Sequence, residues 1–139
     1  NGVLEYFEAV YAHHYAGDEA DALQRTNRVR ALFQHAERRN LEPLLSFLSN
    51  REGVRLIWKN VTKHRAPTVS FTVEDRDPAD IAAALARQRI GIGNGNCYAY
   101  RLMGALGIPA EQGVVRLSFV HYTEREELSQ LLEALDQTI

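Results

Sequence analysis

The sequence contains little cysteine and no long apolar run. Its single cysteine, Cys97, excludes an internal disulfide framework and a cysteine-cluster metal site, and it is consistent with a reducing, cytoplasmic setting. No apolar run approaches the roughly 20 residues that span a bilayer. No basic and apolar leader opens the chain. These absences predict a cytoplasmic protein without a membrane partner.

A strong excess of charge is also missing. The chain has 16 basic and 18 acidic side chains, for a net charge of −2, so it offers no electrostatic footprint for a phosphate backbone. Nucleic acid is therefore excluded as an expected partner. With 45% hydrophobic and 24% charged residues over 139 positions, the composition predicts one ordinary domain that buries about two-thirds of its unfolded surface.

The first part of the chain is helical in pattern. It begins with Asn1 and Gly2 rather than methionine, and we expect it to be a piece of a longer protein. A first helix is predicted to end near Gly17, and its apolar stripe comprises Val3, Leu4, Phe7, Val10, Tyr11 and Tyr15.

A second and longer helical stretch follows, for which Asp18 is the expected N-cap. Its expected inner face comprises Leu23, Val29, Leu32, Phe33 and Ala36. Pro43 disfavours an unperturbed helix interior, so either Asn40 caps a new helix or the long helix kinks.

From residue 54 the apolar side chains recur at every second position instead of every third or fourth. Alternation predicts strands over 54–58, 69–73, 90–92 and 114–120, with a helix capped by Asp77 after the second and a helix over 98–106 after the third. Thr123 and Glu126 form a capping-box pattern at the start of a closing helix. This order predicts an α+β fold: a small, mostly antiparallel sheet covered by helices, with an N-terminal helical arm.

The least ordinary stretch is the glycine-asparagine loop over 91–96. Its three glycines permit positive φ and exposed backbone N–H groups, which suits a phosphate site. The spacing matches neither a dinucleotide fingerprint nor a P-loop. The alternative is a strand-to-helix turn with Asn96 as N-cap.

Two further residues are candidates for chemistry. Alternation sends Arg116 to the face opposite Val115 and Leu117, where it is either an ion-paired structural group or a bidentate receptor for a carboxylate. Cys97 is a candidate nucleophile, with a buried spectator as the alternative. The five histidines share no ligand spacing, and the sequence predicts no metal site.

Four blocks of the sequence resemble one enzyme family. The string GVVRLSFVHYTEREELSQLLEAL from Gly113 resembles the C-terminal signature of class V, fold-type I pyridoxal-phosphate enzymes, in particular the cysteine desulfurase-like branch. The strings RAPTVSFTVE from Arg65, DPADIAAALARQRIGIGNGNCYAYRLMGALGI from Asp77 and NGVLEYF at the start resemble further blocks of that branch, in the same order.

The resemblance implies an incomplete enzyme. Residues 1–17 would be the end of the large-domain or linking helix, and residues 18–139 the C-terminal small domain of the aminotransferase class V type. The parent would use pyridoxal phosphate on a small amino acid and form a homodimer. The cofactor lysine would lie in a missing N-terminal domain, because neither Lys59 nor Lys63 has a Schiff-base context. The fragment alone would be inactive.

The resemblance also implies site residues. Arg116 matches the arginine that grips the substrate α-carboxylate, and the loop with Asn94, Asn96 and Tyr98 matches a substrate-contacting segment. In true desulfurases that segment bears the sulfur-accepting cysteine, whose place Tyr98 takes here, with Cys97 one residue early. Gly93 stands where some desulfurases have a substrate-contacting arginine.

A second hypothesis comes from another class of protein. It describes a free-standing α+β module that binds a small anionic ligand or a partner subunit through the glycine loop.

Overall fold

The computed structural model describes residues 2–62 and 65–139, and these residues form five helices and four strands. The helices are α1 (Gly2–His14), α2 (Ala22–Ser49), α3 (Pro78–Arg87), α4 (Tyr100–Ala105) and α5 (Arg125–Thr138). The strands are β1 (Val54–Ile57), β2 (Thr68–Val73), β3 (Gly93–Gly95) and β4 (Val114–Ser118). None of these helices has the length and apolarity needed to cross a bilayer.

The four strands form one sheet in the order β1-β2-β4-β3, with every neighbouring pair antiparallel. One face of the sheet carries the main core, because Phe71, Val115 and Leu117 are buried there against apolar side chains of α2, α3 and α5. The predicted α+β fold with a small antiparallel sheet is confirmed. We call the opposite face, which carries Ser70 and Arg116, the open face.

A smaller apolar cluster covers one end of the open face. Val114 lies on the opposite side of β4 from Val115, and it packs with Met103 of α4 and with Ile108. Arg55 of β1 reinforces this contact, because its Nη2 donates a hydrogen bond to the Leu106 carbonyl at 2.8 Å. The segment around α4 is thereby fixed against the strands.

The start of α2 differs from the prediction. Asp18 was the expected N-cap, but Asp21 holds that position: its Oδ1 accepts a hydrogen bond from the Gln24 backbone N–H at 2.8 Å, and Gln24 Oε1 accepts from the Asp21 N–H at 3.2 Å. This reciprocal capping box satisfies two backbone donors, which explains where the helix begins. The Asp18 carboxylate instead pairs with Arg28.

The two alternatives at Pro43 are resolved in favour of one long helix. Helix α2 includes Pro43, and Asn40 caps no second helix. The Asn40 side chain is buried, and its Nδ2 donates to the Thr123 carbonyl at 2.7 Å. A residue expected to start a helix therefore joins α2 to the turn before α5.

The structure differs from the prediction at Leu23 on the expected inner face of α2, at Trp58 in the first expected strand, and in the bounds of the third and fourth expected strands. Leu23 and Trp58 are exposed to 69% and 72%, and Trp58 has a φ of 98°, which interrupts the alternation after β1. The third strand lies at Gly93–Gly95 rather than 90–92, because the strand pairing with β4 begins at Gly93. The fourth strand ends at Ser118 rather than at residue 120.

The starts of α4 and α5 also shift. Helix α4 begins at Tyr100 rather than 98 because Cys97 and Tyr98 have φ values of 51° and 62°, which a right-handed helix excludes. Asn96 does not cap it. For α5, Glu124 and Glu127 form the capping box instead of Thr123 and Glu126. The Thr123 Oγ1 accepts from the Val120 N–H at 3.2 Å.

Candidate functional site

Arg116 lies on the open face of the sheet, in the middle of β4. Val115 and Leu117 are buried in the core, whereas Arg116 and Ser118 are exposed on the other side, as strand alternation requires. The register places Ser70 of β2 on one side of Arg116 and Gly93 of β3 on the other. Strand β4 is therefore a central strand, and β2 and β3 hold the backbone of Arg116 from both sides.

The charged group of Arg116 is exposed on the open face of the sheet. Within residues 2–62 and 65–139 the ion pairs are made by Arg25, Arg28 and Arg51. In that part of the chain Arg116 enters neither an ion pair nor a side-chain hydrogen bond. An ion-paired structural role is therefore without support, and the five N–H donors of the guanidinium are available to an external anion.

Backbone contact fastens the glycine-asparagine loop to the start of β4. Gly113 is buried with a φ of 69°, and a Cβ built on it would lie 2.0 Å from the Gly95 carbonyl carbon. Gly95 has a φ of 96° and forms a β-bridge with Gly113. Because only glycine permits this approach, Gly113 fixes the loop relative to the strand that carries Arg116.

The two asparagines of the loop have different surroundings. Asn96 is half-buried: its Nδ2 donates to the Ala110 carbonyl at 3.3 Å, and its Oδ1 accepts from the Tyr98 N–H at 3.1 Å. Asn94 pairs with Val115 in the register, so it lies on the face opposite Arg116. The sheet therefore does not bring Asn94 and Arg116 together.

Tyr98 and Cys97 occupy the turn between β3 and α4. The Tyr98 side chain is fully exposed, so its phenol is free to contact a ligand. The Cys97 thiol is half-buried and donates to the Gly95 carbonyl with an S···O distance of 3.7 Å. The substrate-binding roles of Asn94, Asn96 and Tyr98, and any chemistry at Cys97, stay predictions.

The sequence did not single out the polar side chains of β2 beside Arg116. Thr68 and Ser70 lie opposite Ser118 and Arg116 on the open face, and the Thr68 and Ser118 hydroxyls are 3.2 Å apart. Thr68 and Ser70 line a depression of about 330 Å³ together with Ile57, Trp58, Arg65 and Ala66. Alternation of β2 gives their face, but only the pairing register places them beside Arg116.

Arg65 supports the edge of this depression. Its Nη1 donates to the Lys59 carbonyl at 2.9 Å and its Nη2 to the Thr68 carbonyl at 2.8 Å. Partial burial lowers the pKa of the Arg65 guanidinium, because the charged form loses solvation. Arg65 therefore links the backbone at Lys59, just beyond the end of β1, to the backbone at Thr68, the first residue of β2.

The described residues do not fit a resident cofactor or a metal. Lys59 is exposed just beyond the end of β1, two strands away from β4, and Lys63 lies outside the described residues. Pyridoxal phosphate needs a lysine over a phosphate-anchored ring, and no such arrangement occurs in residues 2–62 and 65–139. Among the same residues, no group of three or more His, Cys, Asp or Glu side chains is placed to hold a metal ion.

The fold and the site together define an α+β domain in which the Arg116 guanidinium is exposed on a central strand, with no ion-pair or side-chain hydrogen-bond partner in the described part of the chain. The sequence profile of the family described as Aminotransferase class-V matches residues 17–131. The chain belongs to this family.

Relatives and solved structures agree with this membership. The chain is 31% identical over 134 residues to a probable cysteine desulfurase of Pseudomonas putida, covering 96% of this chain and 27% of that one. It is 33% identical over 99 residues to an aminotransferase-like protein of Gibberella zeae, with 69% and 25% covered. The apo structure of a cysteine desulfurase from Thermococcus onnurineus superimposes with a TM-score of 0.72 at 27% identity, covering 82% of this chain and 28% of that one. The chain thus spans about a quarter of the length of the curated relatives it matches.

Proposed function

We propose that this chain is the C-terminal small domain of a pyridoxal-phosphate-dependent enzyme, in which Arg116 receives the carboxylate of a small amino-acid substrate. The observation that carries this proposal is the exposed guanidinium on a central strand, without an internal partner in the described residues. Membership of the class V family supports it, because that family uses pyridoxal phosphate. Aminotransferase-type and desulfurase-like chemistry both agree with the relatives.

The proposal assigns the cofactor to another part of the parent. Pyridoxal phosphate supplies an electron sink for the carbanion that forms beside the substrate amino group. Since the described residues do not fit it, a missing N-terminal domain would hold it, and this chain alone would be inactive. In the proposal the parent is a cytoplasmic homodimer. The matches to longer aminotransferases and desulfurases favour this enzyme over a free-standing ligand-binding module.

The task of this chain in the proposal is to bind and orient the substrate. The planar guanidinium of Arg116 would donate two parallel N–H hydrogen bonds to the two carboxylate oxygens. Ser70 and Gly93 flank it and carry no charge that competes. The loop over 94–98 would form one wall beside the substrate, with the exposed Tyr98 as its contact side chain.

Replacing Arg116 tests the receptor role in the intact parent. A charge-assisted bidentate pair contributes on the order of 2 to 3 kcal/mol, so Arg116→Ala is expected to lower kcat/KM roughly 30- to 150-fold. Arg116→Lys should recover only part of this loss, because an ammonium cannot make the bidentate contact. The matched control is Arg87→Ala, which removes an exposed arginine at the end of α3. An unchanged kcat/KM for every accepted amino acid in Arg116→Ala would refute the receptor role.

A spectroscopic measurement tests whether the cofactor site lies outside this chain. Pyridoxal phosphate is added to the purified chain of residues 1–139 and, separately, to the intact parent. We expect the absorbance spectrum of the cofactor to change with the parent and to stay that of free cofactor with the chain. A saturable spectral change with the chain alone would contradict the proposed placement of the cofactor site.

A further inference from the structure

The Arg116 side chain lies across the edge strand β3. A Cβ built on Gly93 would be 3.5 Å from Arg116 Nε and 3.6 Å from Arg116 Nη2. These distances are ordinary van der Waals contacts, so the guanidinium lies directly beside the position that a Cβ of residue 93 would occupy. The neighbouring open-face position of β3 is Gly95, which also has no side chain. The guanidinium therefore lies beside a part of β3 whose open-face positions carry no side chain.

The backbone does not require glycine at position 93. Gly95 and Gly113 have positive φ values of 96° and 69°, which explains glycine at both positions. Gly93 is not among the residues with positive φ, and an L residue fits its conformation. Glycine in a strand interior weakens the strand, because it packs nothing and costs entropy on folding. The contact with Arg116 is the feature that glycine at this position permits.

Side-chain size at residue 93 decides where the guanidinium can lie. Directly opposed residues of an antiparallel pair have Cβ atoms about 4.5 to 5.5 Å apart, so their side chains meet. A methyl group at position 93 reaches only contact distance, and alanine preserves the observed arrangement. The γ-carbons of valine extend beyond that Cβ and would enter the space of Nε and Nη2, which forces Arg116 into another rotamer.

We propose that Gly93 is a positioning residue for Arg116, and that the absence of side-chain atoms beyond Cβ at position 93 sets the direction in which the guanidinium meets the substrate carboxylate. This inference rests on the proposed function of Arg116. Bidentate recognition depends on the plane and direction of the guanidinium, so a changed rotamer weakens binding of the substrate more than it slows later steps.

The first experiment measures steady-state kinetics of the intact parent. Gly93→Val is expected to raise KM for the amino-acid substrate about tenfold with less than a threefold change in kcat, whereas Gly93→Ala should stay within twofold of wild type in both. Gly91→Val is the matched control, because a Cβ on the exposed Gly91 meets nothing within 4 Å and its φ is not positive. We expect Gly91→Val to behave like wild type.

The second experiment reads the guanidinium directly in the chain of residues 1–139. The Arg116 Nε–Hε resonance, assigned by its loss in Arg116→Lys, should shift in Gly93→Val and stay in place in Gly93→Ala and Gly91→Val. This readout does not depend on activity, and a merely structural role of Gly93 would not single out the Arg116 resonance.

The two experiments separate failure of this inference from failure of the proposed function. If Arg116→Ala raises KM but Gly93→Val changes neither KM nor the Arg116 resonance, Gly93 does not position Arg116 and the inference is overturned. An equal rise of KM in Gly93→Val and Gly91→Val also overturns it, because the effect would then follow from any added valine in this segment. If Arg116→Ala leaves kcat/KM unchanged for every accepted amino acid, the proposed function itself fails.

Discussion

Gly113 has no room for a methyl group, so Gly113→Ala should destabilise the glycine-asparagine loop beside the site. A Cβ there would be 2.0 Å from the Gly95 carbonyl carbon and 2.5 Å from the Asn96 nitrogen, so backbone must move. Alanine at positive φ costs about 1 to 2 kcal/mol, and overpacking adds about 1 to 3 kcal/mol. We expect Gly113→Ala to lower the free energy of unfolding by about 2 to 5 kcal/mol in a denaturant titration.

Gly107 provides a control with the same backbone conformation. Its φ is also 69°, but a Cβ on it would meet nothing within 4 Å. Gly107→Ala therefore carries the backbone strain without the collision, and we expect a loss of about 1 to 2 kcal/mol. Equal losses for Gly107→Ala and Gly113→Ala would show that the close approach to Gly95 contributes nothing to stability.

Glu37 is the residue whose ionisation should make stability depend on pH. Burial raises the pKa of its carboxyl above 4.5, and the charge of His121 lowers it in part. The folded state thus binds a proton more tightly than the unfolded state. This contribution to stability is complete below pH 4.5 and is lost as the pH rises through the raised pKa. Glu37→Gln should therefore gain Tm relative to wild type as the pH increases from about 4 to 7.

The control for this pH dependence is Glu133→Gln, which neutralises an exposed glutamate on α5. Its Tm difference from wild type should vary less with pH than that of Glu37→Gln. A Tm difference for Glu37→Gln that stays constant from about pH 4 to 7 would contradict the assignment of this dependence to Glu37.

At the scale of elements, aromatic contacts anchor α1 to the turn that follows β4. The His121 ring stacks on Phe33 of α2 with centroids 3.6 Å apart and an interplanar angle of 11°. Its Nε2 lies 2.7 Å from the Tyr6 hydroxyl of α1. The stack and the hydrogen bond are together worth about 1 to 3 kcal/mol.

Removing this anchor should loosen one helix rather than the whole fold. In His121→Ala we expect faster amide hydrogen exchange in α1 and unchanged exchange in β2 and β4, whose side chains fill the core. His35→Ala, at an exposed position of α2, is the control and should leave α1 unaffected. Unchanged exchange of α1 in His121→Ala would mean that other contacts, such as the Arg25 to Glu8 ion pair at 3.0 Å, hold the helix.

Elements differ in how far their sequences predicted them. The alternation around Arg116 predicted its face correctly, because β4 is central and buried on one side and a register slip would invert every side chain. Caps were harder to predict: Asp18 and Asp21 are the same residue type, and the partner Gln24 decides which one caps. The contact of Gly93 with Arg116 was beyond sequence reasoning, because it joins two strands through a register that no local pattern encodes.

At the scale of the whole molecule, helices α2, α3 and α5 lie on one side of the sheet and the candidate site lies on the other. Helices α2, α3 and α5 bury the core on one face, which leaves the other face for Arg116, Ser70 and the segment around α4. Stability is therefore supplied mostly from one side, and the proposed ligand contact lies on the other. Substitutions on the open face should change binding with little effect on folding, which makes the kinetic tests at Arg116 interpretable.

The first turn of α1 exposes two adjacent apolar side chains. The predicted apolar stripe is buried at Tyr11, but Val3 and Leu4 are exposed to 74% and 69%. Adjacent exposed apolar side chains at the end of a helix favour association. We expect the chain of residues 1–139 to self-associate, with a weight-average sedimentation coefficient that rises with concentration.

Charge placed on that turn should abolish the association. The double variant Val3→Glu with Leu4→Glu puts two carboxylates on the exposed turn, and its sedimentation coefficient should not rise with concentration. Ala9→Glu with Ala12→Glu adds the same charge at exposed positions further along the same helix and should behave like wild type. If the wild-type chain is a strict monomer at every concentration, the exposed turn does not drive association. If both double variants become monomeric, general charge repulsion rather than burial of Val3 and Leu4 explains the effect.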